Sequence, residues 1–185
     1  MALVVAVVGM PGCGKGELAA VVSAAGLPVF SMGDMIRAEV ESRGLEGDPM
    51  VFGRVAQELR DEFGYGVLAE RLAPLVDAAT KEHPLVMIEG MRGTDERDVF
   101  LEHWKDGFRV VAIVADADVR FRRISSRGRA EDGDRLSFDA RDQRESTWGV
   151  SELMVLADWT LDNSSDLDTF KNVSETWLKT VLPSD

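Results

Sequence analysis

Two patterns of apolar residues alternate along this chain. Unbroken apolar runs at residues 3–8, 85–88 and 110–114, rich in Val and Ile, suit strands buried on both faces of a parallel sheet. Shorter runs at 27–31 and 159–162 predict two more strands. Between them lie helix-like stretches at 18–25, 35–42, 49–63, 67–79, 94–103, 118–126 and 170–181. Val51, Val55 and Leu59 fall on one helical face, as do Phe170, Val173, Trp177 and Val181. Parallel strands need crossover connections, and these are right-handed, so the pattern predicts a three-layer, doubly wound α/β fold with a five-stranded parallel sheet. Residues 1–185 read as a single domain. A helical excursion occupies about 34–80, and a polar, arginine-rich segment occupies 127–144.

Charge narrows the partners. With 33 acidic and 21 basic residues the chain carries a net charge of -12, which repels polynucleotides and anionic membranes. No apolar run approaches the ~20 residues of a membrane span. The run at 3–8 lacks a preceding basic residue and is followed by glycines, so it reads as a first strand and not as a secretory signal. Cys13 is the only cysteine, which excludes an internal disulfide and a thiolate zinc site; a reducing cytoplasm is the expected location. Against this acidic background, Arg120, Arg122, Arg123, Arg127, Arg129, Arg135, Arg141 and Arg144 crowd into twenty-five residues.

The chemistry begins directly after the first strand. Gly9-Met10-Pro11-Gly12-Cys13-Gly14-Lys15 satisfies G-x-x-x-x-G-K between a strand and a helix, the context a phosphate-binding loop requires. Its backbone N–H groups and the helix N-terminus would cradle phosphate oxygens, and Lys15 would reach the β and γ phosphates. The Ser or Thr that usually ligates magnesium is absent: Gly16 follows the lysine, and Glu17 follows that. Glu17 either approaches a metal through water or favours the first helical turn by its charge. The loop Gly9 to Gly16 resembles the adenylate kinase form G-x-P-G-x-G-K-G, which implies ATP with Mg²⁺ as the donor.

Two further segments suit an acceptor. Ser31-Met32-Gly33-Asp34-Met35-Ile36-Arg37 is similar to the S-x-G-D-M-x-R segment of adenylate kinases, where the arginine grips the acceptor phosphate. A guanidinium fork matches a phosphate dianion, and Gly33 lets the acceptor approach the backbone. Asp34 would orient metal-bound water, accept the acceptor's proton, or cap the helix. Val86-Met87-Ile88-Glu89-Gly90-Met91-Arg92 resembles the D-G-F-P-R element of these kinases, with Glu89 as the outer-sphere partner of Mg²⁺ and Arg92 as a second acceptor-phosphate ligand. In that family a lid closes arginines over the migrating group, and Arg123, Arg127, Arg141 and Arg144 sit in comparable places, the first three being the leading candidates. The balancing alternative for each arginine is a solvated surface pair with a neighbouring carboxylate.

Ala157-Asp158-Trp159-Thr160-Leu161-Asp162-Asn163 looks like the A-D-x-x-I-D-N stretch of dephospho-coenzyme A kinases, which lies close to the ATP adenine and so brings in Asn163. The mixture of both signatures resembles an archaeal family of adenylate-kinase-related, kinase-like P-loop proteins. That resemblance implies an ATP-dependent nucleotide kinase acting on a small nucleotide acceptor. A hydroxyl kinase of the dephospho-coenzyme A kinase type and a nucleotide-binding switch or slow ATPase stay open beside it. His83 and His103 have no partners at metal or triad spacing, and the four tryptophans read as packing residues.

Overall fold

A computed structural model describes residues 2–47, 49–127 and 134–183. It contains five parallel strands, β1 (Leu3–Val8), β2 (Val29–Ser31), β3 (Leu85–Glu89), β4 (Phe108–Val114) and β5 (Trp159–Asp162), in the order β2-β3-β1-β4-β5. The first strand therefore lies at the centre, and its carboxyl end opens between those of β3 and β4. Val7 pairs with Glu89 on one side and with Val111 on the other.

Because side chains alternate along a strand, the sheet feeds two separate cores. Val4, Ala6, Val8, Val86, Ile88, Val110 and Ala112 face one side. There they meet α2 (Met32–Ser42), α3 (Pro49–Phe63), α4 (Val67–Thr80), α5 (Thr94–Trp104) and α8 (Val150–Val155), through Val40, Leu59, Leu72, Phe100 and Leu153 among others. Val5, Val7, Met87, Val111 and Ile113 face the other side and pack on α1 (Lys15–Ala24) and α9 (Leu167–Val181) through Leu18, Val22, Phe170 and Trp177. This is the three-layer, doubly wound arrangement expected from the continuous apolar runs. Val4, Val5 and Val7 have no exposed surface. At ~1.5–3 kcal/mol per buried side chain, β1 is anchored by several independent contributions, so the loop that follows it starts from a fixed point.

Some boundaries differ from the sequence expectation. The second strand is limited to Val29–Ser31, and the helix after it starts at Met32, so Gly33 and Asp34 lie inside its first turn. Ser31, and not Asp34, holds the N-cap position of that helix. The last helix begins at Leu167, with Asp166 capping it by accepting from the Thr169 N–H at 2.9 Å. Its buried residues are Phe170, Ser174, Trp177 and Leu178, whereas Val173 is exposed: the inward face is rotated from the stripe read in the sequence.

The larger difference concerns the arginine-rich segment. Residues 128–133 of the expected lid at 127–144 lie outside the described residues, but 135–144 form most of a regular helix, α7 (Arg135–Trp148). Asp134 starts α7 by accepting from the Ser137 N–H at 2.9 Å, and Gly149, in the left-handed region at φ 112°, ends it and turns directly into α8. The helix has no continuous apolar stripe; Phe138 is buried while Leu136 is exposed. Charged contacts to Arg120, on the helix Ala117–Arg127, and to Arg92 in the turn after β3 fix its orientation instead.

Candidate phosphate and acceptor site

The loop 9–16 connects the central strand to α1. The amide of Cys13 donates to the Met10 carbonyl at 3.1 Å and that of Glu17 to the Gly14 carbonyl at 3.0 Å, which closes the turn and opens the helix. Gly14 sits at φ 105°, and a Cβ there would lie 2.2 Å from Asn163 Nδ2, so both conformation and space require glycine. Pro11 and Cys13 are buried; Gly16 and Glu17 are exposed in the first turn of α1, where the acidic side chain suits the helix dipole. Lys15 Nζ folds over the loop and donates to the Gly9 and Met10 carbonyls, the latter at 3.3 Å, with Cys13 Sγ at 3.8 Å. Its enclosure lowers the ammonium's pKa from its usual range. Cys13 and Glu145 pull it back up, while Arg92 and Arg141 push it further down.

Behind the loop stands a second set of polar contacts. Asn163, buried at the end of β5, donates from Nδ2 to the Cys13 carbonyl at 2.8 Å and accepts from Arg123 Nη2 at 3.2 Å. Arg123, on α6 (Ala117–Arg127), also donates to the Ser165 carbonyl at 2.9 Å, and its Nη1 is buried without a hydrogen-bond partner among the described residues. Asn163, expected near an adenine, is adjacent to the loop, and its amide is committed to holding the loop and Arg123. Arg120, one turn earlier, is buried; it donates to the Pro11 carbonyl at 3.0 Å and the Ala115 carbonyl at 3.1 Å. It also forms a two-pronged pair with Asp142 of α7, at 2.8 and 2.5 Å, over the Phe138 ring. A cavity of ≈ 590 Å³ opens beside the loop, bounded by Lys15 to Glu17, by Arg123 and Ser126, and by the turn 163–167. That volume lies within the ~300–1,000 Å³ of small-molecule and cofactor sites.

On the other side of β1, the acceptor segments meet. Gly90, at φ 94°, follows β3, and a Cβ on it would lie 3.4–3.6 Å from Met32 and the Gly33 amide, so the 89–92 turn packs on the start of α2. Glu89 is half-buried at the carboxyl end of β3, level with Val7 and Ser31 of the neighbouring strands. Arg92 donates from Nη1 to Glu145 Oε2 at 3.0 Å, and Arg141 Nε reaches Glu145 Oε1 at 3.5 Å. Glu145 is itself buried. The backbone of 92–93 is pinned by Glu96, whose carboxylate accepts from the Arg92 and Gly93 amides at 2.7 and 3.3 Å and from Arg60 at 3.3 Å. Burial pushes the Glu96 carboxyl up, against the pull of these donors.

Arg37 is placed differently. It is exposed on α2 and paired with Asp34 one turn before it, Nε to Oδ1 at 2.9 Å, so the two candidate residues bond each other. Arg127 closes α6, and its side chain lies outside the described residues. Among the other arginines of the cluster, Arg135 forms exposed pairs with Asp118 and Asp139, and Arg144 is exposed over the Trp148 ring. Trp159 packs edge-on against Trp177 at 5.9 Å, a core contact. Arg92 and Arg141 are thus brought together on Glu145, and all three act on the charge of Lys15; Arg123 and Asn163 join the loop from behind; Asp34 and Arg37 form a pair of their own.

The donor set bears directly on the expected metal. Among the described residues no group of three or more His, Cys, Asp or Glu side chains could hold an ion. A single carboxylate, Glu89, next to a phosphate cradle suits Mg²⁺, which keeps several waters and takes its remaining ligands from phosphates. The residues missed in the sequence are Arg120, Asp142, Glu145 and Glu96. Asp134 and Gly149, a helix cap and a helix stop enclosing fourteen residues, were the available signal that 135–148 is a helix.

Residues 8–137 match the AAA domain family. The chain is 40% identical over 168 residues to a UPF0200 protein of Halobacterium salinarum, covering 90% of this chain and 87% of that protein. It is 36% identical over 186 residues to a UPF0200 protein of Methanosarcina mazei, covering 100% and 98%. A UPF0200/UPF0201 protein of Archaeoglobus fulgidus is 39% identical, and the chain spans only 52% of its length. Among solved structures, TT1252 from Thermus thermophilus superposes with a TM-score of 0.60 at 19% identity, covering 98% of this chain and 99% of that one. Shikimate kinase from Acinetobacter baumannii, in complex with shikimate, gives 0.58 at 12% identity, covering 98% and 93%. At these identities the likeness concerns the fold. No helix among the described residues is long and apolar enough to cross a membrane.

Proposed function

This chain belongs to the UPF0200 family, and we propose that it is an ATP-dependent phosphotransferase whose acceptor is a small, phosphate-bearing nucleotide. One observation carries the reading: the arginine after β3 and an arginine of α7 meet on Glu145, and all three act on the charge of the glycine-loop lysine that follows the central strand. Ligands of open α/β sheets bind beyond the carboxyl ends of the strands. Three cations there suit a phosphoryl group in transit, whose charge spreads over its outer oxygens.

In this reading the backbone amides of 9–16 and Lys15 hold the β and γ phosphates, and Asn163 and Arg123 keep the loop in shape. Glu89 would hold Mg²⁺ through water; the ion would offset charge on the phosphates. Arg92 and Arg141 draw charge at the γ position. Transfer breaks the bond from the γ phosphorus to the β–γ bridging oxygen and forms one to an acceptor oxygen. Gly33, Arg37 and Arg92 are the acceptor-side contacts, Arg37 within a helical acceptor unit at about 34–80, and residues 127–144 serve as the lid. Arg37 serves only if the incoming phosphate outbids Asp34, an exposed pair of the kind worth at most about 1 kcal/mol. The Asp34 carboxylate would then be released for the proton or for a water on the metal.

The Asp34–Arg37 pair also supports a second reading, a nucleotide-gated switch, because it engages the arginine meant for the acceptor. The experiment is a coupled ADP-release assay across AMP, CMP, UMP, GMP, their deoxy forms and dephospho-coenzyme A, with Lys15→Ala as control. Acceptor-dependent ADP release, abolished together with MgATP binding in Lys15→Ala, is the expected result. ATP binding without any acceptor-stimulated release selects the switch, and an unchanged MgATP affinity in Lys15→Ala rejects both readings.

A further inference from the structure

Glu145 is a carboxylate in an unusual position. Its side chain is 5% exposed, yet it accepts from Arg92, 53 residues earlier in the chain, and from Arg141, one turn earlier on its own helix. It also lies close enough to Lys15 to act on its charge, as do both arginines. One buried anion therefore serves three cations drawn from the glycine loop, the turn after β3 and α7.

Stability alone gives a weak account of this arrangement. Removing charges from water costs about as much as a buried pair returns, and apolar residues of similar volume often replace such pairs without loss. Three cations held close together without an anion would repel one another and turn towards solvent. They are nonetheless the groups that must point inward together for phosphoryl transfer. A carboxylate among them meets that requirement before phosphate arrives. It presents two oxygens, one to each arginine, and its charge offsets theirs.

We propose that Glu145 is a positioning residue of the phosphate site: a resident carboxylate that holds Arg92 and Arg141 beside Lys15 and yields them to the phosphoryl group when it enters. The proposal rests on the phosphotransferase reading of the same site. The carboxylate repels the polyphosphate that competes for its cations, so it lowers nucleotide affinity while aligning the groups that act during transfer. A structural ion pair would link neither effect to the other.

The test uses the full chain with Glu145→Gln and Glu145→Asp, following thermal melting, calorimetric affinity for MgATP and MgADP, and turnover with the best acceptor. Glu145→Gln keeps the shape and removes the charge. It is expected to tighten both nucleotides by about tenfold, the scale of removing one unit charge from a partly screened site, while turnover at saturation falls at least as much. Glu145→Asp keeps the charge but withdraws it; nucleotide affinity should stay within about twofold of wild type, since the repelling charge remains, and turnover should fall. Unchanged or weaker affinity in a cooperatively melting Glu145→Gln overturns the proposal. If Glu145→Gln does not fold, Glu145→Asp decides: lower turnover at unchanged affinity supports the positioning role, and unchanged turnover overturns it. The affinity comparison needs no acceptor. A wild-type chain that binds MgATP and transfers nothing therefore fails the phosphotransferase reading, while the Glu145→Gln affinities still separate a resident carboxylate from a structural ion pair.

Discussion

Truncating Asp142 to alanine isolates the contact that ties α7 to the glycine loop. Arg120 has a 7% exposed side chain, pairs with Asp142 through both terminal guanidinium nitrogens and donates to the Pro11 carbonyl. Removing Asp142 leaves a charge enclosed by Ala115, Pro11 and the Phe138 ring with no anion beside it. Breaking a buried pair costs ~3–5 kcal/mol. Asp142 is 19% exposed and water can partly replace it, which places the cost near the low end, about 3 kcal/mol. For a chain of this size that corresponds to a fall in Tm of roughly 6–12 °C. The double replacement Arg120→Met with Asp142→Leu removes both charges and fills the space, so stability should return to within ~1 kcal/mol of wild type. The Pro11 carbonyl loses its Arg120 donor only in the double variant, so MgATP affinity there should be low although stability returns. Differential scanning calorimetry and titration calorimetry separate the two effects. A Tm for Asp142→Ala within about 2 °C of wild type, or a double variant with full nucleotide affinity, would show that this pair does not hold the loop.

Three other outcomes follow from the same geometry. Gly14→Ala combines φ 105° with a Cβ 2.2 Å from Asn163 Nδ2, so MgATP binding should be lost and the Tm lowered, whereas Gly16→Ala, with nothing within 4 Å, should melt like wild type. The enclosed Lys15 has a pKa below its ordinary 10.5, and phosphates favour its charged form; MgATP affinity should therefore fall as pH rises through that lowered value, and a Lys15→Arg chain with the same alkaline decline would contradict the assignment. For Asp77, burial raises the carboxyl's pKa, but hydrogen bonds from His103 and Trp104 outweigh it and the net shift is below 3.8. Its contribution is thus present above that pH and lost as pH falls through the lowered value; Asp77→Asn should cost under ~1 kcal/mol at neutral pH, with the gap to wild type closing below pH 3.8 in urea melts.

The parallel strands were legible because burial on both faces demands unbroken apolar runs, whereas an element with a solvated face breaks them with polar residues. The glycine loop was legible because its spacing is dictated by backbone geometry, with a fixed strand before it and a helix after it. Helix α7 was not, since the signal used for helices is an apolar stripe and this helix turns Phe138, Asp142 and Glu145 inward. Polar inward faces look like solvated ones until their partners are known. For the same reason the arginines could be counted but not sorted: Arg120 and Arg123 point towards the loop, Arg141 turns to the buried Glu145, and Arg135 stays with surface carboxylates. At Arg37 the motif was legible but its resting partner was not: a carboxylate three residues away is within reach on any helix, and the local pair formed.

The two inward carboxylates of α7 give that helix a role its composition conceals. Asp142 and Glu145 are three residues apart and so share one face. Asp142 reaches the donor side of the site through Arg120 and Pro11, while Glu145 reaches the acceptor side through Arg92, whose backbone Glu96 fixes to the start of α5. Sliding or rotating α7 would disturb both contacts at once, because a rigid helix cannot move one side chain without the other. Buried ion pairs add little net stability but are strongly directional. Their use here therefore registers the glycine loop against the turn after β3, which is what in-line transfer between two bound phosphates requires. Helix α7 thus carries the two carboxylates that hold Arg120 of α6 and Arg92 after β3 in place.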